Sequence, residues 1–521
     1  MGSSRVSPRT WAATAGVVSA AATLAVAELV SLVLGGIGNP VLAVGSLIID
    51  LVPPGFKSLV ISLFDTADKL VLFVCLGAAV LVVAAIAGVV QWRRPPVGLV
   101  ILAAVAVVAL VAVLTRAEAT AIAAMPTVMG AVTGAVLLHL SIGALRDWVA
   151  AASTRAAVVA DAAPQFDRRR FLRLVAIVGV SSAVVGIGAR ALNSASAAVR
   201  DLRARIRLPA AADVAVALPV DPAAEVSGLS SFVTPNTAFY RIDTALQVPS
   251  VDPSEWRLRV TGMVEREIEM TYDELVALPL VERYVTLACV SNEVGGDLIG
   301  NALWLGHPLR DVLARAVPLE GADMVLSTSV DGFTASTPLD VLQDDDTDAL
   351  LAVGMNGEPL PLQHGFPVRM VVPGLYGYVS ATKWVTELKV TTFADDLAYW
   401  STRGWTERGP VKISSRIDTP TSRSTVEAGR VVIAGVAWAQ HTGIASVEVQ
   451  IDGGRWREAT LATDVSVDTW LQWWFEWEAE VGDHEIVVRA MDVDGLVQTA
   501  DIAPVVPDGA TGRHTIELSV A

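Results

Sequence analysis

The chain has two cysteines, Cys75 and Cys289, and only the second stands among residues that suggest chemistry. It lies in "VTLACVSNEVGG" (285–296), straight after an apolar run and just before a glycine pair. A thiol placed so can fill a strand core as a small hydrophobe. It can act as a nucleophile beside a basic partner, and His307, His364, His441 and His484 are on hand, although spacing selects none of them. A zinc site needs further Cys or His at short spacing, and the sequence offers none. The remaining use is as one ligand to a metal otherwise held by an organic cofactor, since sulfur is the soft donor such a metal prefers. Cys75 falls inside an apolar stretch, so the two thiols cannot pair with each other.

The elements that must hold Cys289 are short and mixed. "EWRLRVTGMV" (255–264) and "KWVTELKVTTF" (383–393) alternate as strands with one solvated face. "TYDELVALP" (271–279) and "HPLRDVLARA" (307–316) read as helices, the first with Thr271 and Glu274 spaced as a capping box. This predicts an α+β domain over 229–410, preceded by an Ala/Pro-rich linker at 191–228. From "RVVIAGVAWA" (430–439) onward strands follow at short spacing with no helical stretch, and Asp452-Gly453-Gly454 marks a hairpin turn. Residues 411–521 are therefore expected to form an Ig-like β-sandwich.

The first 190 residues are of another kind. Mean hydropathy is +0.52 for the whole chain, and the apolar excess is concentrated there. Stretches near 11–35, 70–91, 97–115, 125–145 and 172–189 are each long enough to cross a bilayer. That gives about five spans, with Glu28 tolerable only near an interface or against other helices. The stretch 41–63, interrupted by Asp50, Pro53-Pro54 and Lys57, is expected to be two interfacial pieces in a loop. Residues 1–200 carry 15 Lys and Arg against 8 Asp and Glu, whereas the rest carries 23 against 46. The acidic remainder speaks against nucleic acid as a partner. Arg5, Arg9, Arg93-Arg94, Arg146, Arg155 and Arg168–Arg170 fall on one side of a five-span topology. The positive-inside rule makes that side cytoplasmic and the remainder of the chain extracytoplasmic. The basic "RDLRARIRLP" (200–209) runs against this. "DRRRFLRLVAIVGVSSAVVGIGA" (167–189) resembles a twin-arginine export signal, which implies a domain that gains a cofactor before crossing.

Several ordered pieces of the outer part carry a further resemblance. They are "TPNTAFYRIDTAL", "YVTLACVSNEVGG", "VGMNGEPLPLQHGFPVRMVVPGLYGYVSATKWV", "YWSTRGW", "ISSRIDTP" and "VEVQIDGGRWREATL". Together they resemble the sulfite oxidase family of molybdopterin-dependent oxidoreductases, and within it an actinobacterial membrane-anchored subgroup. The resemblance implies a molybdopterin-binding domain followed by a dimerisation-type sandwich, and hence a possible homodimer. It implies Mo-molybdopterin as cofactor and Cys289 as the metal ligand. His364, Arg369 and Lys383 match positions that hold the pterin and its phosphate, with Ala381 and Thr382 contributing, and Tyr240 and Arg241 match the stretch at the metal end. An Arg fork with a Lys point charge suits a dianionic phosphate.

The chain also departs from sulfite oxidases. Val290-Ser291-Asn292 is followed by Glu293 where those enzymes have arginine, and the pocket tyrosine falls at Trp405. The pocket arginine falls in "TWLQWWFEW", near Trp473. Sulfite, a dianion, needs converging positive charge, and Arg241 is left as the main candidate cation. The expectation is oxygen-atom transfer to or from a less charged substrate, such as a sulfoxide or N-oxide held against aromatic faces, with Cys289, Arg241 and Trp405 as the reacting site. The apolar stretches contain one histidine, His139, so no haem is expected there, and electrons would pass to a separate redox protein or a quinone-linked chain. The rival readings are sulfite oxidase proper, a non-catalytic membrane-tethered binding protein, and a thiol enzyme using Cys289 as nucleophile.

Overall fold

The computed structural model describes residues 7–34, 38–52, 68–116, 121–157, 194–219, 226–245 and 247–521. The chain divides into two compact units, Met1–Ala198 and Val199–Ala521.

The first unit is helical: α1 (Pro8–Val33), α2 (Pro40–Leu51), α3 (Asp68–Arg93), α4 (Val97–Leu114) and α5 (Met125–Ala157). Four stretches, Pro8–Val33, Val71–Arg93, Val97–Leu114 and Ala121–Ala150, are long and apolar enough to cross a membrane. Small residues let these helices approach closely. A methyl added at Gly16 would meet the Ala84 carbonyl, and one at Gly88 would meet that of Ala12. Gly130 and Gly134 of α5 sit likewise against Thr23 of α1, the small-xxx-small packing that apolar solvent favours. Glu28 accepts a hydrogen bond from Asn39 Nδ2 at 2.8 Å, and Asn39 in turn caps α2. The Trp11 and Trp148 rings lie 5.9 Å apart, and Arg146 donates to the Gln91 and Trp92 carbonyls. Arg9, Arg93, Arg94 and Arg146 therefore share one end of the unit. The stretch 41–63, expected as two interfacial pieces, begins inside one twelve-residue helix, α2, which ends just before Pro53-Pro54. Its remainder from Pro53-Pro54 onward lies outside the described residues, as do the fifth expected span and the twin-arginine-like segment.

The division between the units falls within the expected linker. Residues Ser194–Arg205 form α6, and Arg203 donates to the Pro359 and Leu360 carbonyls and pairs with Glu358. Asp213 then bridges to Val281. Within the basic run at 200–209, Arg203 thus has partners inside the folded unit.

Ten strands build the first half of this unit: β1 (Arg257–Gly262), β2 (Ile268–Thr271), β3 (Val281–Ala288), β4 (Ile299–Pro308), β5 (Met324–Ser329), β6 (Thr334–Pro338), β7 (Leu350–Met355), β8 (Glu358–Pro359), β9 (Arg369–Val371) and β10 (Val385–Thr391). One sheet has the order β2-β1-β10-β5-β6, with β1 and β10 parallel. The other has the order β3-β4-β7-β8, with β9 also paired to β7. All six residues of β7 are buried, as befits a central strand. Thr271 and Glu274 close a reciprocal capping box on α7 (Tyr272–Val276). In α8 (Leu309–Ala316), Leu309, Val312, Leu313 and Ala316 form the buried stripe that 3.6-residue periodicity dictates.

The second half is all β: β11 (Ser414–Thr419), β12 (Ser424–Val426), β13 (Gly429–Trp438), β14 (Ile444–Ile451), β15 (Arg457–Glu458), β16 (Thr460–Leu461), β17 (Leu471–Ala479), β18 (Gly482–Asp492) and β19 (Thr515–Val520). They make two sheets, β11-β13-β17-β16 and β12-β19-β18-β14-β15. Both sheets feed one buried cluster that includes Ile433, Val447, Trp473, Val488 and Leu518. Asp452 and Gly453 take positive φ in the turn that pairs β14 with β15.

Candidate functional site

Strand β3 runs apolar and buried through Val285, Leu287 and Ala288, and Cys289 follows its last residue. There the chain turns: Asn292 N–H donates to the Cys289 carbonyl and Cys289 N–H to that of Leu298. Gly295 completes the loop at a φ of +79°, a conformation that disfavours any side chain. Sγ of Cys289 accepts the Ser291 N–H at 3.4 Å. Burial raises the thiol pKa, while Ser291 and the charge of Lys383 oppose the rise.

A second chain segment meets this one. Pro361 starts a single turn, Leu362–His364, which Gly365 ends at positive φ. His364 is 3 % exposed. Its Nε2 donates to the Asn236 carbonyl at 3.1 Å, which leaves Nδ1 as the unprotonated nitrogen of the neutral ring. Burial first, then the charge of Arg369, pushes its pKa down to about 4. Arg369 opens β9 and is buried against the Trp304 ring, 5.0 Å from its centroid. Its donors reach only carbonyls, those of Met370, His364 and Ala381; no carboxylate pairs with it among the described residues. Burial draws its pKa down to about 10, so it remains cationic.

Lys383 forms a backbone bridge to Arg369. Its Nζ donates to Asp243 Oδ2 at 2.8 Å and lies 4.9 Å from the Trp384 ring centre. Burial, only partly offset by Asp243, lowers it to about 8.

One cavity of about 900 Å³, its open mouth included, collects most of the residues expected from sequence: Tyr240, Cys289, His364, Arg369, Ala381, Lys383 and Trp405. Two expected residues are not in its lining. Thr382 points into the core, where Oγ1 bonds to Ser327 Oγ at 2.7 Å. Arg241, expected to be the substrate's cation, has a 37 % exposed side chain whose Nε is held by Asp243 at 2.9 Å. Glu293 is exposed and outside the lining. Trp473 is in the core between the two β sheets rather than at the site, because its strand faces inward there. Of the other candidate histidines, His307 bonds to the Pro279 carbonyl, His441 pairs with Asp468 and His484 with Asp452; none of them lines the cavity.

Sequence reasoning missed Asp243, Tyr378 and Trp400. Asp243 stands two residues after Arg241 in "AFYRID", and as the carboxylate nearest those cations it was the readable signal. Tyr378 and Trp400 join Trp405 in an aromatic wall, with Tyr378 and Trp400 centroids 5.8 and 6.2 Å from that of Trp405. The Tyr378 hydroxyl donates to the Thr406 carbonyl. The cavity thus has cations on one set of elements and neutral aromatic rings on another.

The family described as "Oxidoreductase molybdopterin binding domain" matches residues 245–400. Sulfite oxidase of Gallus gallus is 30 % identical over 334 residues, covering 55 % of this chain and 72 % of that protein. The mitochondrial sulfite oxidase of Rattus norvegicus is 32 % identical over 325 residues, covering 53 % of this chain; the chain spans 59 % of that relative's length. Among solved structures, the sulfane dehydrogenase SoxCD of Paracoccus pantotrophus matches with a TM-score of 0.49 at 23 % identity, over 55 % of this chain and 80 % of that one. The chain belongs to the sulfite oxidase family of molybdopterin-dependent oxidoreductases. The cofactor this membership implies is Mo-molybdopterin.

Proposed function

We propose that this chain is a membrane-anchored molybdenum oxidoreductase that moves an oxygen atom to or from a small substrate other than sulfite, on the extracytoplasmic side. The observation that carries the reading is the cavity itself, with a thiol, a buried guanidinium that has no carboxylate partner among the described residues and a buried ammonium on one side, and aromatic rings on the other.

The donor set fits the cofactor. A buried Arg369 satisfied only by carbonyls still lacks an anion, and the terminal phosphate of a pterin supplies one. Lys383 adds a second charge, already oriented by Asp243. His364 Nδ1 is an acceptor while the ring is neutral, and an incoming dianion would draw a proton onto it, turning it into a donor. Cys289 is the metal ligand in this reading, and the Ser291 N–H directed at its sulfur stabilises the thiolate. Bound there, the cofactor supplies two-electron oxygen-atom chemistry.

The protein's own contribution on the substrate side is orientation. Phe333, Tyr378, Trp400 and Trp405 offer apolar faces and no charge. Arg241 is engaged by Asp243, so converging positive charge for a dianion is missing, and a neutral sulfoxide- or N-oxide-like substrate suits the wall better. In this reading electrons pass singly to a separate redox partner, and the all-β half is an Ig-like domain suited to self-association.

The test is molybdenum content and metal-dependent turnover of purified wild type and Cys289→Ser. The expected result is metal in the wild type and loss of turnover in the variant; wild type without molybdenum, or unchanged turnover in the variant, overturns the proposal.

A further inference from the structure

The cysteine loop is held from outside its own sheet. His514, just before β19, seats its ring against Gly295, where the nearest atoms to an added methyl would be ring atoms of His514. The ring is fixed in turn: Nδ1 accepts the Ile417 N–H of β11 at 3.0 Å. Burial, and then the charge of Arg416, hold its pKa down, which keeps that nitrogen an acceptor. A second tie lies one residue on. Arg416 of β11 donates Nη1 to the Gly296 carbonyl at 2.8 Å while Nε pairs with Asp418 at 2.6 Å. The same arrangement recurs on the other loop of the cavity. His441, after β13, packs its ring on Gly374, which also has positive φ and leads into the segment carrying Tyr378, Ala381 and Lys383. In both places a histidine from the all-β half occupies the space left by a glycine's missing side chain.

We propose that His514 is a positioning residue for Cys289: with Arg416 it backs the cysteine loop from the all-β half, behind the cavity lining, and it fixes where the sulfur stands. The inference rests on the reading of Cys289 as ligand only for its consequence; the geometry it asserts exists without any metal. A glycine at positive φ already has a restricted loop around it, and a ring filling the adjacent space removes the remaining freedom. With the ring gone, the 289–298 loop loses its backstop, and the sulfur of Cys289, a residue 8 % exposed on the cavity wall, gains freedom to move further into the cavity.

The experiment uses the full chain made in a host that lacks molybdopterin, treated with iodoacetamide, with modification at Cys289 separated from that at Cys75 by peptide mass. Alkylation of Cys289 is expected to rise about tenfold in His514→Ala, the size of coupling found between contacting residues, while unfolding stays cooperative. Gly295→Ala, which pushes on the same ring, is expected to raise it as well, and the double variant to show less than the product of the two effects. An unchanged rate in folded His514→Ala, or simple multiplication in the double variant, overturns the proposal. If His514→Ala does not unfold cooperatively, His514→Asn takes its place, since it keeps an acceptor for Ile417 and loses only the ring. Molybdenum content of Cys289→Ser separates a failure of this inference from a failure of the ligand assignment, because the alkylation readout involves no metal.

Discussion

Cys289 comes from one stretch of chain and His364, Arg369 and Lys383 from another, and their chemistry follows from what each is denied. Arg369 has no carboxylate among the described residues, and His364 has no solvent. For His364 this gives a pH prediction. Its folded pKa lies near 4 against an ordinary 6.5, so between those values the unfolded chain binds a proton that the folded chain does not. Stability of the cofactor-free protein therefore falls as pH drops from 6.5 to 4, by up to about 3 kcal/mol. His364→Gln keeps a donor for Asn236 and is expected to flatten that acid limb in urea melts at a series of pH values; an identical slope in the variant removes the assignment. Trp405 gives the second residue-scale prediction. Trp405→Ala deletes a neutral face, and KM for a neutral oxygen-donor substrate should rise about tenfold with a smaller change in kcat. Steady-state kinetics decides it, and a loss confined to kcat would mean that Trp405 acts on the chemical step instead.

At the scale of elements, local rules were obeyed where the chain is regular. The capping box of α7 was readable from Thr271 and Glu274, and both of its bonds are present. Thr271→Ala should cost about 1 kcal/mol of stability, visible as a lower urea midpoint with unchanged slope; no loss would mean the exposed helix end is satisfied by water. The strands at 257–262 and 385–391 were readable from alternation, yet their parallel pairing was not, because 122 residues separate them. The contacts of the segment 194–219 were hidden for a similar reason. Its Ala/Pro content reads as linker, but Arg203 finds acceptors at 359 and 360 that only the folded unit brings within reach.

For the whole molecule, an apolar helical unit and an acidic α+β and all-β unit divide the labour. The shared end of Arg9, Arg93, Arg94 and Arg146 supports a cytoplasmic assignment for that end under the positive-inside rule. Reporter fusions at positions 160 and 215 are expected to land in the cytoplasm and outside it, respectively; both on one side would overturn the proposed topology. The all-β half touches the cysteine loop, since Arg416 and His514 reach it from there.

Sequence by itself determined four of the apolar stretches and the strand and helix types, because hydropathy and periodicity are local properties of the chain, and its ordered motifs pointed to the family. Only the tertiary structure decided that Thr382 turns into the core, that Arg241 is occupied by Asp243, and that Trp473 is packing while Tyr378 and Trp400 form the wall. Those outcomes depend on which distant groups burial brings into contact, and the competition among partners for one charge or one face is resolved only when the chain has closed upon itself.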